Sequence, residues 1–133
     1  MNKTAIKTSE APAPIGPYNQ AIAVGNLLFV SGQVALDAAT GQFLNNDLAT
    51  ETHQVMRNLK AILNDAGIDF SHVVKSTIFL SDMSLFAAVN EIYASYFDQE
   101  NPSATAVYPA RETVAVKGLP KDARVEISMI AAF

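Results

Sequence analysis

Cysteine is missing from all 133 residues, so disulfides, zinc ribbons and thiol chemistry are excluded at the outset. Cationic side chains are scarce. Nine Lys+Arg face thirteen Asp+Glu, giving a net charge of −4 and a pI near 5.0. Nucleic-acid binding draws much of its strength from cations on phosphates, so RNA or DNA is not the expected partner. Histidine occurs twice, at His53 and His72, without the spacing of a ligand set, and no metal site is expected. Long apolar runs are lacking as well. No window approaches the ~18 apolar residues of a membrane span. The opening Met1-Asn2-Lys3-Thr4-Ala5-Ile6-Lys7 lacks the apolar core of a secretory signal. The expectation is a cytoplasmic protein that avoids membranes. Repeats, low-complexity tracts and linkers are also absent, so residues 1–133 read as one domain.

What remains is ample for a folded core. Half the residues are apolar and 17% are charged, and a chain of this size buries roughly two-thirds of its unfolded surface. Residues 8–20 carry three prolines and a glycine, which predicts an ordered loop rather than a helix. Residues 21–24 and 27–31, joined by Gly25-Asn26, read as a hairpin. Leu48, Thr52, Val55, Leu59, Ile62, Leu63 and Ala66 recur at three- and four-residue steps. They predict a helix capped by Asn46 or Asp47 and closed by Gly67. Residues 73–80 predict a buried strand. A second helix, capped around Ser81-Asp82, carries Leu85, Phe86, Val89, Ile92, Tyr93 and Tyr96 on one stripe and stops at Asn101-Pro102. A short strand at 104–107 is optional, and two strands finish the chain. The order ββαβα(β)ββ gives an α+β class with both helices on one face of a mixed sheet. So short a chain has nothing left to cover the other face, which predicts self-association.

Two charges near the C-terminus stand out. Arg111 opens a strand-like run, and Glu126 sits among Val125, Ile127 and Met129. An uncompensated charge in a half-buried strand is costly. Gly118-Leu119-Pro120-Lys121 fits a hairpin loop. That register pairs Lys117 with Asp122, Thr113 with Glu126 and Arg111 with Ser128. Arg111, Thr113 and Glu126 would then share the less apolar face. The pair reads either as a structural ion pair or as a site. In a site, Arg111 would grip a carboxylate bidentately while Glu126 orients water. Ser31 has no evident His–Asp partner for triad chemistry.

Five short stretches follow one another in a telling order: Gly16-Pro17-Tyr18, Ser31-Gly32-Gln33, Asn90-Glu91-Ile92-Tyr93, Pro109-Ala110-Arg111, and Leu119-Pro120-Lys121 through Val125-Glu126-Ile127. In them the chain resembles the Rid family, the reactive-intermediate deaminases also called YjgF/L-PSP proteins, over essentially its whole length. The resemblance implies a chorismate-mutase-like fold with a six-stranded mixed sheet and a homotrimer with three intersubunit clefts. It also implies cofactor-free hydrolysis of 2-imino or enamine acids, such as 2-iminobutanoate, 2-iminopropanoate and 2-aminoacrylate, to 2-keto acids and ammonia. By position, Arg111 would hold the substrate carboxylate, and Glu126 would position water and move protons. Tyr18, Ser31, Gly32 and Thr113 would contribute to the substrate cleft, while Asn90 would either join them or act as an anchor. Thr113 stands where many relatives have cysteine, a change that imine hydrolysis tolerates in principle. The segment 101–107 looks a few residues longer than usual. Two rival readings use the same cleft: a non-catalytic regulatory trimer that binds small carboxylates and, ranked last, an endoribonuclease.

Overall fold

Alternation of buried and open residues along the chain sets the layers. The computed structural model describes residues 1–100 and 107–133. Its strands are β1 (Lys3–Ile6), β2 (Ala21–Val24), β3 (Leu27–Gln33), β4 (Val73–Leu80), β5 (Ala110–Ala115) and β6 (Val125–Ala132). They form one six-stranded sheet in the order β1-β2-β3-β6-β4-β5. β4 and β5 run parallel, and the other pairings among the described residues are antiparallel. α1 (Leu48–Asp65) and α2 (Phe86–Glu100) lie on one face. Beneath them Leu28, Val30, Ile78, Leu80, Val125, Ile127 and Met129 are buried with Val55, Leu59, Ile62, Leu63 and Val89. No helix among the described residues is long and apolar enough to cross a membrane.

The local signals did their work. Asp47 caps α1, its carboxylate accepting from the Thr50 amide at 2.7 Å. Gly67, at φ +80°, turns the chain away in the left-handed region that glycine adopts cheaply. The hairpin of β2 and β3 forms as expected, with Ala21 opposite Val30 and Val24 opposite Leu27. Asp82 caps a 3-10 turn (Met83–Leu85) that leads into α2. The optional strand at 104–107 falls largely outside the described residues, as does the helix stop at Asn101-Pro102. β1 was not expected. Its Lys3, Thr4 and Ala5 are exposed and only Ile6 packs on the core, so it shows no apolar alternation. Pairing with β2 creates it.

The predicted C-terminal hairpin does not form. β5 and β6 both pair with β4, which lies between them. The physical reason is the content of β4, whose Val73, Ser76, Ile78 and Leu80 are buried. A hairpin of β5 with β6 would leave this apolar strand with an open edge of unpaired amides and carbonyls. The link from β5 to β6 instead crosses over β4 through a 3-10 turn (Pro120–Asp122) with Lys121 and Asp122 at φ 57° and 54°. Register then separates the flagged charges. Arg111 aligns with Ser76 and Thr113 with Ile78, both on the helix-covered face. Glu126 aligns with Phe79, on the other. Arg111, Thr113 and Glu126 therefore do not share a face.

Among the described residues, that other face is left largely open. Phe29 and Val114 are 42% and 44% exposed, and Ile22, Phe79 and Ile130 are only partly buried.

Candidate functional site

Arg111 belongs to the first of two clusters. β5 is an edge strand, so Arg111 reaches past the sheet onto α2. Its Nη1 donates to Asn90 Oδ1 at 2.7 Å, and its Cζ lies 5.1 Å from the Tyr93 ring centroid and 5.6 Å from that of Phe86. Both distances are in the range where a cation gains from a ring face. The Tyr93 hydroxyl donates in turn to the buried Ser76 Oγ at 2.9 Å. Burial raises the Tyr93 pKa above its ordinary value, although the Ser76 bond and the Arg111 charge oppose the rise. Among the described residues no carboxylate lies within ion-pair distance of Arg111. An open cavity of about 530 Å³ runs over Asn90, Tyr93, Tyr108, Pro109 and Arg111. The guanidinium is thus flanked by two aromatic rings and held at one nitrogen, a placement from which further N–H groups can meet an anion. Asn90 accordingly holds one nitrogen of Arg111. Thr113 lies two residues further on the same face and lines neither this cavity nor the next. Its Oγ1 is the buried side-chain polar atom without a partner among the described residues.

The second cluster forms on the other face of the same sheet, where β3 meets β6. Register shifts between Val30 and Gln33 as β3 runs past β6, and at this irregularity Gly32 leaves room for the Glu126 side chain. Ser31 Oγ donates to Asn19 O at 2.5 Å, and the Ser31 amide donates to Gln20 O at 2.9 Å. Those two bonds tie the proline-rich loop to the sheet and bring Tyr18 beside Gly32. Tyr18, Gly32, Gln33, Lys121 and Glu126 line one cavity of about 230 Å³. Among the described residues no cation pairs with Glu126, and its burial raises the carboxyl pKa above the ordinary value. A carboxylate of this kind holds and releases a proton nearer to neutral pH than a solvated one.

Sequence reading missed an ion pair anchored two residues before Glu126, at Arg124. Glu51, fully buried in α1, accepts from Arg124 Nε and from the Arg124 amide, both at 2.7 Å. Arg124 Nη2 also donates to Asn45 O at 2.9 Å. The signal was present: Glu51 lies four residues before Val55 and eight before Leu59, a charge inside an apolar helical stripe. The two histidines are taken up locally, His53 Nδ1 with the Tyr96 hydroxyl at 2.8 Å and His72 with Asp69 at 3.1 Å.

Known proteins share this arrangement of chain. A family model described as Endoribonuclease L-PSP matches residues 8–133. A RutC family protein of Pyrococcus horikoshii is 46% identical over 97% of both chains. The mouse 2-iminobutanoate/2-iminopropanoate deaminase is 45% identical over 95% of this chain and 88% of its own. The crystal structure of E. coli TdcF with bound serine matches at a TM-score of 0.89 and 37% identity, covering 98% of each chain.

Proposed function

The chain belongs to the Rid family, whose model carries the description endoribonuclease L-PSP, and on that footing we propose that it hydrolyses small 2-imino acids to 2-keto acids and ammonia. The carrying observation is Arg111, stacked between Phe86 and Tyr93, anchored by Asn90 and without a carboxylate partner among the described residues. A planar fork held in this way suits a substrate carboxylate. The deaminase name of the mouse relative and the serine held by E. coli TdcF support the same class of ligand.

Chemistry at C2 asks little of the protein beyond placement and charge. With the imine nitrogen protonated, Glu126 accepts a proton from water as its oxygen bonds to C2. The tetrahedral aminoalcohol then gives up its C–N bond. Glu126 returns its proton to the nitrogen, which leaves as ammonia, and the C2 hydroxyl becomes the keto oxygen as its own proton passes to the freed Glu126 carboxylate and on to solvent. One water is consumed and no electrons change hands.

Arg111 and Glu126 line separate cavities within one chain, so a single copy does not present both to one substrate. This separation supports a homotrimer in which Arg111 of one copy completes the Glu126 pocket of the next. The uncovered sheet face, with Phe29 and Val114, supports the same assembly.

The test couples a serine or threonine dehydratase to the purified protein and follows 2-keto acid release. Acceleration over spontaneous hydrolysis is expected. Carboxylate binding without acceleration would leave only a binding role. The family description favours RNA cleavage as a second reading, which the net charge of −4 opposes. Cleavage that survives repurification and is lost in Arg111→Lys would support it.

A further inference from the structure

The space beside Glu126 is larger than a reaction at C2 requires. It holds about 230 Å³, whereas about 150 Å³ suffices for benzene. Pro12, Ile15, Val34, Leu36 and Pro120 give it apolar walls. The Gln20 amide in the lining is already occupied at both ends. Gln20 Oε1 accepts from the Thr8 amide at 2.8 Å. Its Nε2 donates to the carbonyls of Thr8, Ala11 and Pro12 at 3.0, 3.2 and 2.9 Å. Gln33 Nε2 donates to Ser31 O at 3.3 Å. Away from Tyr18, Lys121 and Glu126, a hydroxyl or amide moved against these apolar walls would shed water with little to replace it. A hydrocarbon group would gain by every carbon it buries.

C2 of a 2-imino acid is trigonal and carries the carboxylate, the nitrogen and the side chain. If the carboxylate sits on Arg111 and the attacking water on Glu126, the side chain is the substituent left for the cavity. Resting on the deaminase reading, we infer that the Glu126 cavity is a side-chain subsite selecting imines of branched or aromatic apolar amino acids, those of leucine and phenylalanine, over the imine of alanine. The large substituent fills the space under Pro12, Ile15 and Leu36, whereas a methyl group leaves most of it empty.

The experiment takes the full chain and imines generated in situ by an L-amino-acid oxidase from leucine, phenylalanine and alanine. Rates of imine loss are compared as kcat/KM. The leucine and phenylalanine imines should exceed the alanine imine by at least about tenfold, the low end for added carbons in an apolar pocket. Leu36→Trp narrows the cavity and should cut that ratio about tenfold. Val34→Phe gives the same reading with a smaller intrusion should the tryptophan disturb folding. An alanine imine processed as fast as the others, or an unchanged ratio in the folded variants, would overturn the subsite and leave the deaminase reading standing. No acceleration with any of the three imines would overturn both.

Discussion

Gly32 and Glu126 occupy one space. A β-carbon at position 32 would lie 2.9 Å from Glu126 Oε2 and 3.0 Å from its Cδ, closer than side-chain atoms pack. The strand irregularity and the missing side chain together let the carboxylate lie against the β3 backbone. In Gly32→Ala the new methyl meets the free end of a flexible side chain, so the carboxylate moves rather than the backbone. Turnover should fall on the order of 100-fold, the scale of about a 1 Å misplacement, while the melting temperature stays near that of the parent. A large loss of stability with the residual activity of the folded fraction unchanged would contradict this account.

Glu126→Gln separates stability from activity. Burial raises the Glu126 pKa, so the folded state holds its proton more tightly than the unfolded chain does. Between the ordinary and the raised pKa the native state binds more protons, and stability declines as pH rises through that window. Glutamine removes this penalty. The variant should melt higher than the parent at neutral pH, with the difference closing as pH drops below the ordinary glutamate range. Its turnover should fall more than its affinity for carboxylates. A melting difference that ignores pH would show that the Glu126 charge is not the cause.

Asn90 and Arg111 can be separated by kinetics. Losing a hydrogen bond to a charged group costs about 1.5–3 kcal/mol, so Asn90→Ala should lower kcat/KM roughly 10- to 100-fold, chiefly through KM. Arg111→Lys keeps the charge and loses the fork, and its loss should be greater. An Asn90→Ala enzyme with parental KM would remove the anchor role.

Removing Glu51 should be costly. Glu51→Ala strips the partner from the Arg124 side chain and amide at once. Breaking a buried pair costs about 3–5 kcal/mol. The low end is expected here because 35% of the Arg124 side chain is exposed. Denaturant unfolding measures it, and a change below about 1 kcal/mol, within the surface-pair range, would demote the clamp to a surface contact.

Assembly can be tested on the uncovered sheet face. Phe29→Glu sets a charge in the middle of it without touching the core beneath the helices. If the parent forms the proposed trimer, sedimentation should report three chains for it and single chains for the variant. An intact three-chain mass in the variant would move the interface elsewhere.

Much was legible in the sequence alone. The apolar stripe from Leu48 to Ala66, the cap at Asp47, the turn at Gly25-Asn26 and the stop at Gly67 are local features. Their cause lies within a few residues of chain, so periodicity and capping suffice to find them. β1 was not legible, because nothing in Lys3–Ile6 demands a strand until β2 offers it an edge. The C-terminal hairpin failed for a related reason. A plausible loop at Gly118–Lys121 says nothing about a third strand about forty residues upstream in sequence but adjacent in space, and β4 won the place between β5 and β6 because its buried side chains needed partners on both edges.

The same division governs the site. Residue types and order alone marked Arg111 and Glu126 as charges that needed a reason, and the sequence determined the helices, the central strands and the uncovered face. Tertiary structure decided which face each charge occupies, that Asn90 serves Arg111, and that Gly32 makes room for Glu126. Side-chain direction in a sheet has a period of two, and strand order depends on pairings between distant segments. One pairing decision therefore turned a supposed contact between Arg111 and Glu126 into two pockets on opposite faces.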